Sequence, residues 1–203
     1  MIAIIDYGMG NLRSVQKALE KVGAQTVVTQ DPMGIQKADK VILPGVGAML
    51  PAMEKIKSLG LISVIKESIE AGKPFLGICL GLQLLFEKSS EGGTVEGLGV
   101  LSGNVERFQE LKVPHMGWNQ LHIKDPKCPL FSGVENAVNV YFCHSYFVNP
   151  ADPAITATTT DYGKEFVSGV FQRNVFGVQF HPEKSQAAGL KILRNFVELP
   201  NAS

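Results

Sequence analysis

Apolar and polar positions change period along the chain, and the change divides it into two parts. The first part opens on the apolar run Ile2 to Ile5, which stops at Asp6 and reads as a buried strand. Leu12, Val15, Leu19 and Val22 then recur at helical spacing, with Asn11 placed to cap the helix and Gly23 just past its end. Ala24 to Thr29 and Lys40 to Leu43 are strand-like. Met49 to Ser58 and Leu61 to Ala71 read as helices separated by Gly60. Phe75 to Ile78 is another strand, and Leu80 to Phe86 opens another helix. Strands that alternate with helices predict a mostly parallel sheet with helices on both faces, a three-layer α/β architecture.

The second part is richer in β-branched and aromatic residues, in Val138 to Phe142 and Ile155 to Thr160. Phe166 to Phe171 and Val175 to Phe180 flank Gln172-Arg173-Asn174, which predicts a hairpin with Asn174 in the left-handed conformation. Phe176, Val178 and Phe180 alternate with Val175, Gly177 and Gln179, so one face of that strand is expected to be buried. A last helix is expected over 186–198. Gly92-Gly93 and the stretches near Pro126, Pro129 and Pro150 read as loops. No repeat or linker interrupts the chain, so residues 1–203 are expected to form a single domain, a parallel core extended by an antiparallel β part.

Composition narrows the function classes. Lys plus Arg equals Asp plus Glu at 19 each, and no basic run is present, so neither nucleic acid nor an anionic membrane surface is an expected partner. No apolar run is long enough to span a bilayer. The apolar start meets Asp6 at once without a basic lead, unlike a signal peptide. Three cysteines without C-x-x-C spacing argue against disulfides and a zinc knot. A reducing cytoplasm, where a thiol stays free, is the expected location.

One of those cysteines stands in a reactive setting. Gly77-Ile78-Cys79-Leu80-Gly81 lies between a strand and a helix start and has the form of a nucleophile elbow with Cys in place of Ser. Such a turn lifts the thiol above the sheet edge and sets it at a helix N-terminus, whose dipole favours thiolate. The Leu80 backbone N–H is then placed to meet an oxyanion. Cys128 and Cys143 read as ordinary buried thiols. His181-Pro182-Glu183 ends the last strand; in an extended segment His181 and Glu183 share a face, and Pro182 keeps the segment extended. A carboxylate on one ring nitrogen leaves the other free to face the thiol. Cys79, His181 and Glu183 therefore form a candidate nucleophile, base and orienting group for acyl transfer. The remaining histidines, His115, His122 and His144, lack a carboxylate at comparable spacing and are given no catalytic role. Pro44-Gly45-Val46-Gly47-Ala48 follows a short strand, where it reads equally well as an ordinary turn or as a loop whose glycines let backbone N–H groups approach a ligand. Asp6-Tyr7-Gly8-Met9-Gly10 lacks the third glycine of a dinucleotide loop, and no phosphate-loop or zinc-protease motif occurs. No cofactor and no metal are expected.

Taken together, these segments resemble the class I glutamine amidotransferases, whose glutaminase domains carry a G-x-C-x-G elbow, a P-G-x-G loop and an H-P-E segment. Further matching segments are Asp6 to Leu12, Gly77 to Phe86, Lys112 to Asn119 and Gln179 to Ser185, so the resemblance spans nearly the whole chain. It implies a flavodoxin-like three-layer fold and attack of Cys79 on the side-chain amide of glutamine. It also implies an oxyanion hole from Leu80 with Val46 or Gly47, and glutamine held by Gly47, Gln83, Ser145 and Tyr146. Ammonia released this way needs a consumer. The resemblance implies a separate (β/α)8-barrel cyclase subunit in a heterodimer, serving histidine biosynthesis. Lys112 to Asn119 is expected to form part of the interface, with Met116 and Trp118 as anchors and Asn11 beside them. Trp118 reads equally well as a core residue. Two rivals use the same residues, a cysteine peptidase or amidase and a glutaminase for another synthase; a third, a catalytically silent regulatory subunit, has the complete Cys79, His181 and Glu183 set against it.

Overall fold

The computed structural model describes residues 1–109 and 111–201. Its first part contains β1 (Ile2–Ile5), α1 (Leu12–Lys21), β2 (Thr26–Thr29), α2 (Pro32–Lys37), β3 (Lys40–Gly45), α3 (Met49–Ser58), α4 (Leu61–Glu70), β4 (Phe75–Cys79) and α5 (Leu80–Leu84). There follow β5 (Phe86–Ser89), β6 (Val95–Glu96), β7 (Leu101–Arg107), β8 (His115–Ile123), β9 (Val138–His144) and β10 (Tyr146–Pro150). The chain continues through β11 (Thr156–Asp161), β12 (Glu165–Gln172) and β13 (Val175–Val178) to α6 (Gln186–Glu198).

The parallel strands run in the order β2-β1-β3-β4-β13, and the sheet continues through β12, β10, β7, β5 and β6. Direction reverses at β12, which pairs antiparallel with β13. β11 joins β12 to β8, and β8 pairs antiparallel with β9. Period-2 alternation decides what lies on each face. Ala3, Ile5, Val41 and Leu43 point to the side packed by Ile35 of α2, Ala52 and Ile56 of α3 and Val64 and Ile65 of α4. Ile2, Ile4, Ile42, Leu76 and Ile78 point to the other side, under Val15 and Leu19 of α1 and Ile192, Leu193 and Phe196 of α6. The expected layers are thus present. Their reversal point in the strand order puts the carboxyl ends of β1, β3, β4 and β13 around one crevice, where ligands of such sheets bind. No helix among the described residues is long and apolar enough to cross a membrane.

Several elements differ from expectation, each for a local reason. Asn11 precedes α1 but makes no side-chain cap; its backbone carbonyl alone accepts from Ser14 and Val15. α2 escaped periodicity because it has only six residues; Asp31 caps it by accepting from Met33 and Gly34, with Pro32 in the first turn. β3 runs on through Pro44 and Gly45, which align with Ile78 and Cys79 of β4. The helix expected to Phe86 stops at Leu84, because the carbonyls of Leu84 and Leu85 accept from Leu98, Val100 and Leu101 and draw the chain into β5. In the β12–β13 turn Arg173, at φ 57°, takes the left-handed conformation instead of Asn174. Asn174 is tied down: its amide donates to the carbonyls of Ile69 and Lys73, and its carbonyl accepts from Phe75. β13 is buried on both faces, as a central parallel strand must be. Pro150 ends β10, and Pro129 starts a 3-10 turn.

Candidate active site

Cys79 is the last residue of β4 and the residue before α5, with φ 55° and ψ −108°. For a residue with a Cβ this is a strained conformation, costing about 1–3 kcal/mol. It persists because α5 is pressed against the sheet. A Cβ on Gly81 would lie 1.7 Å from the Leu43 carbonyl oxygen, and one on Gly77 would lie 2.7 Å from the Gly81 oxygen. The two glycines of the motif let the backbone pack that closely. α5 has only five residues, so its dipole is a smaller support for a thiolate than the elbow motif alone suggested. The larger support comes from side chains.

His181 follows β13. Its backbone N–H donates to the Tyr141 carbonyl at 2.9 Å, and its Nδ1 lies 2.9 Å from Glu183 Oε1. Contrary to expectation, the pair does not meet across an extended segment. Pro182 begins a 3-10 turn through Lys184, and this turn swings Glu183 back onto the imidazole. Both side chains are almost wholly buried. A carboxylate can only accept, so Nδ1 carries the proton and Nε2 is left to face Cys79. Burial opposes charge on the imidazole, but the hydrogen bonds to Cys79 and Glu183, with their negative charges, outweigh it and raise its pKa to about 10. The balance of these contacts favours the protonated imidazole beside the sulfur.

Two glutamines complete the surroundings. Gln83 Nε2 donates to the Tyr146 carbonyl at 3.0 Å and to Gln179 Oε1 at 3.1 Å, and Gln179 Nε2 approaches Cys79 Sγ at 3.7 Å. The Cys143 carbonyl lies 3.9 Å from the same sulfur. A cavity of about 260 Å3 opens above it, lined by Val46, Gly47, Cys79, Leu80, Gln83, Ser145, Tyr146 and His181. Every residue singled out for catalysis, for the oxyanion or for glutamine is thus brought to one place, except Glu183, which stands behind His181. Glu91, Pro114, Cys143, His144 and Lys184 also line the cavity; Pro114 and Lys184 fall within matching segments but were given no role, and the other three carried no signal that marked them for the site. Tyr7 was missed as well. Its buried hydroxyl has no hydrogen-bond partner among the described residues and would collide at 2.3 Å with a Cβ on Gly45. Burial, with the charge on Cys79, pushes that hydroxyl well above the usual range. Among the remaining thiols, Cys128 is buried and pushed up to about 12, chiefly by burial.

Asn11, Met116 and Trp118 lie outside the cavity. All three are exposed, Met116 at 61% and Trp118 at 48%, so Trp118 is a surface residue and the core alternative is excluded. Its ring meets that of Tyr141 edge-on at 6.1 Å, across the β8–β9 pair. Tyr141 is also the residue whose carbonyl holds the His181 backbone.

His144 and His115 form a buried chain beside the site. His144 Nδ1 lies 2.7 Å from the Tyr146 carbonyl, His115 Nδ1 lies 2.9 Å from His144 Nε2, and Asn119 Nδ2 lies 3.2 Å from His115 Nε2. A carbonyl only accepts, which assigns the proton at each step: both imidazoles are neutral Nδ1–H tautomers. Burial lowers the pKa of His115 to about 4 and that of His144 to about 3. Unfolded histidine takes up a proton near 6.5. The unfolded chain therefore binds more protons than the folded one between about 6.5 and 4, and stability is lost as pH falls through that window. Urea midpoints should drop from pH 6.5 to 4.5, and the slope should flatten in a His115→Asn/His144→Gln variant. An unchanged slope in a folded variant would assign the acid sensitivity to other groups.

The class-I glutamine amidotransferase family model matches residues 3–199. The imidazole glycerol phosphate synthase subunit HisH of Syntrophotalea carbinolica is 52% identical over 207 residues, covering 98% of this chain and 100% of its own. The same subunit of Thermosynechococcus vestitus is 54% identical over 202 residues, covering 98% and 96%. Among solved structures, a glutamine amidotransferase superposes with a TM-score of 0.77 at 18% identity, covering 98% of both chains. PurLQS of Thermotoga maritima superposes with a TM-score of 0.74 at 21% identity, covering 97% of this chain and 96% of that one. At these identities the structural likeness is one of fold.

Proposed function

Because this chain belongs to the class-I glutamine amidotransferases and, within them, to the HisH subunits of imidazole glycerol phosphate synthase, we propose that its hydrolysis of glutamine runs through a thioester on Cys79 and supplies ammonia to a cyclase subunit in histidine biosynthesis. The observation that carries the mechanism is the buried array of Cys79 sulfur, His181 imidazole and Glu183 carboxylate at the cavity. At about 260 Å3 that cavity suits one amino acid; drug-sized ligands occupy about 300–1,000 Å3.

Cys79 sulfur attacks the side-chain amide carbon, and the oxyanion is held by the Leu80 N–H with an amide of Val46 or Gly47. His181 gives its Nε2 proton to the departing ammonia. It then takes a proton from the water that attacks the thioester, which releases glutamate and restores the thiolate–imidazolium pair. Glu183 holds the ring and its charge throughout. Gly47, Gln83, Ser145 and Tyr146 hold the glutamine. The chain acts as a single glutaminase domain, in the cytoplasm, with no cofactor of its own.

Ammonia in neutral water is mostly ammonium and no longer nucleophilic, which favours direct transfer to a synthase. The partner is the (β/α)8-barrel cyclase subunit of imidazole glycerol phosphate synthase, in a heterodimer. It combines ammonia with a phosphoribulosyl formimino intermediate to give imidazole glycerol phosphate and an aminoimidazole carboxamide ribotide. Exposed Met116 and Trp118, with Asn11, supply part of the interface, and an exposed Trp is an apt anchor.

The test is glutamate release from glutamine by the chain alone and with the cyclase subunit plus its ribonucleotide substrate. Release should depend on Cys79 and rise in the complex. No release under any condition removes the assignment. In the same assay Trp118→Ala should weaken cyclase binding by more than it lowers the stability of the free chain; equal losses would end the interface proposal.

A further inference from the structure

We propose that Gln179 is a further catalytic residue, whose side-chain amide donates to the Cys79 sulfur and, with His181, holds the thiolate ready to attack; this rests on the reading of Cys79 as nucleophile. Gln179 Nε2 lies 3.7 Å from Cys79 Sγ, within reach of an N–H···S hydrogen bond, and Gln179 is 0% exposed. A fully buried amide is not kept in a protein interior without partners.

Its orientation is not a free choice, because the network around it runs in one direction. The Tyr146 carbonyl only accepts, and it takes one bond from Gln83 Nε2 and one from His144 Nδ1. The second N–H of Gln83 must then meet an acceptor on Gln179, which is Oε1 at 3.1 Å. With its oxygen so engaged, Gln179 can present only its NH2 group to the sulfur. The backbone supports the same aim: the Gln179 N–H donates to the Ser168 carbonyl at 2.9 Å. Gln179 approaches the sulfur directly, and His181 lines the same cavity as Cys79, so the sulfur has an amide donor beside the imidazole. A thiolate with two directed donors is favoured over the thiol and is held in one rotamer. In the thioester the sulfur carries no charge, and the amide returns to a weak contact. Nothing is consumed and no proton is transferred by Gln179.

The experiment measures the rate of iodoacetamide alkylation at Cys79 against pH in the full-length chain, located by peptide mapping, with Cys79→Ala as control. Gln179→Met keeps the shape and removes donor and acceptor. Gln179→Glu keeps the acceptor for Gln83 and removes the donor. In both, alkylation at pH 7 should fall about tenfold and the pH profile should move up by about one unit. The rate constant for glutamate release should fall while KM in Gln179→Glu stays within about twofold. A wild-type profile in either folded variant overturns the proposal. Should both variants fail to fold, the wild-type side-chain amide protons of Gln179, followed by NMR, decide the matter. They should titrate with the Cys79 alkylation midpoint, and a flat response overturns it. Glutamine hydrolysis that survives Cys79→Ala would instead remove the reading of Cys79, a result separate from any shift of the alkylation profile.

Discussion

Cys79→Ala should lower the rate constant for glutamate release by about 10^6-fold, whereas Glu183→Gln should lower it by about 10^4-fold. The difference follows from what each group does. Without sulfur no thioester forms, and water would have to attack an amide directly. Without the Glu183 charge His181 still has a hydrogen-bond partner at Nδ1, but the imidazolium loses one of the two negative groups that hold its pKa near 10. The side chain of Glu183 is 1% exposed, and its Oε2 has no partner among the described residues, so the amide can be accommodated without displacing another donor. Equal losses in the two variants, both folded, would mean that Glu183 does more than orient and charge the ring. The same position tests strain. Cys79 keeps φ 55° whatever side chain it carries. Cys79→Ala therefore retains the strain, and Cys79→Gly should be the more stable of the two by about 1 kcal/mol.

Local chemistry made the site legible because its parts depend on short-range rules. A G-x-C-x-G turn has one geometry, and the steric reason is now visible in the approach of Gly81 to Leu43 and of Gly77 to Gly81. His181 and Glu183 were paired correctly, although a 3-10 turn makes the contact and not an extended strand. The parallel half was equally legible, since α1, α3 and α4 repeat apolar residues at helical spacing and β4 is an unbroken buried run. What stayed hidden depends on tertiary contact. β7, β8 and β10 carry enough polar and glycine residues that only pairing reveals them. The end of α5 is decided by donors from Leu98 to Leu101, beyond any local window. His115 and His144 lack a nearby carboxylate in sequence, and their relation to the site exists only through the β8–β9 register that sets them opposite each other. Gln179 gave no sign of its own, because a glutamine between two apolar residues predicts burial but not which atom it will face.

The close approach at Gly81 leads to the second large effect. Gly81→Ala should destabilise the chain by about 3–5 kcal/mol, seen as a lower urea midpoint at unchanged slope. The added Cβ would lie 1.7 Å from the Leu43 oxygen and 2.8 Å from the Leu43 carbonyl carbon, both backbone atoms, so no rotamer change relieves the contact. Gly77→Ala, with its nearest contacts at 2.7–2.8 Å on the Gly81–Leu82 backbone, should cost less. Gly177→Ala should cost less again, because the atom it meets first, at 2.3 Å, is the end of the Leu82 side chain, which can turn aside. The order Gly81, Gly77, Gly177 is the checkable content, and a Gly81→Ala chain as stable as the wild type would refute it. Relaxation at Gly81 also has a functional direction. The only way to clear the clash is to move α5 away from the end of β3. That separates the Leu80 amide, on α5, from the amides of Val46 and Gly47, which directly follow β3. Loss of one oxyanion donor costs about 10^2- to 10^3-fold in rate. A folded remnant of Gly81→Ala should therefore retain a reactive Cys79, by alkylation, yet release glutamate at least about 100-fold more slowly. Retention of both activities would show that the oxyanion is held by groups other than these amides.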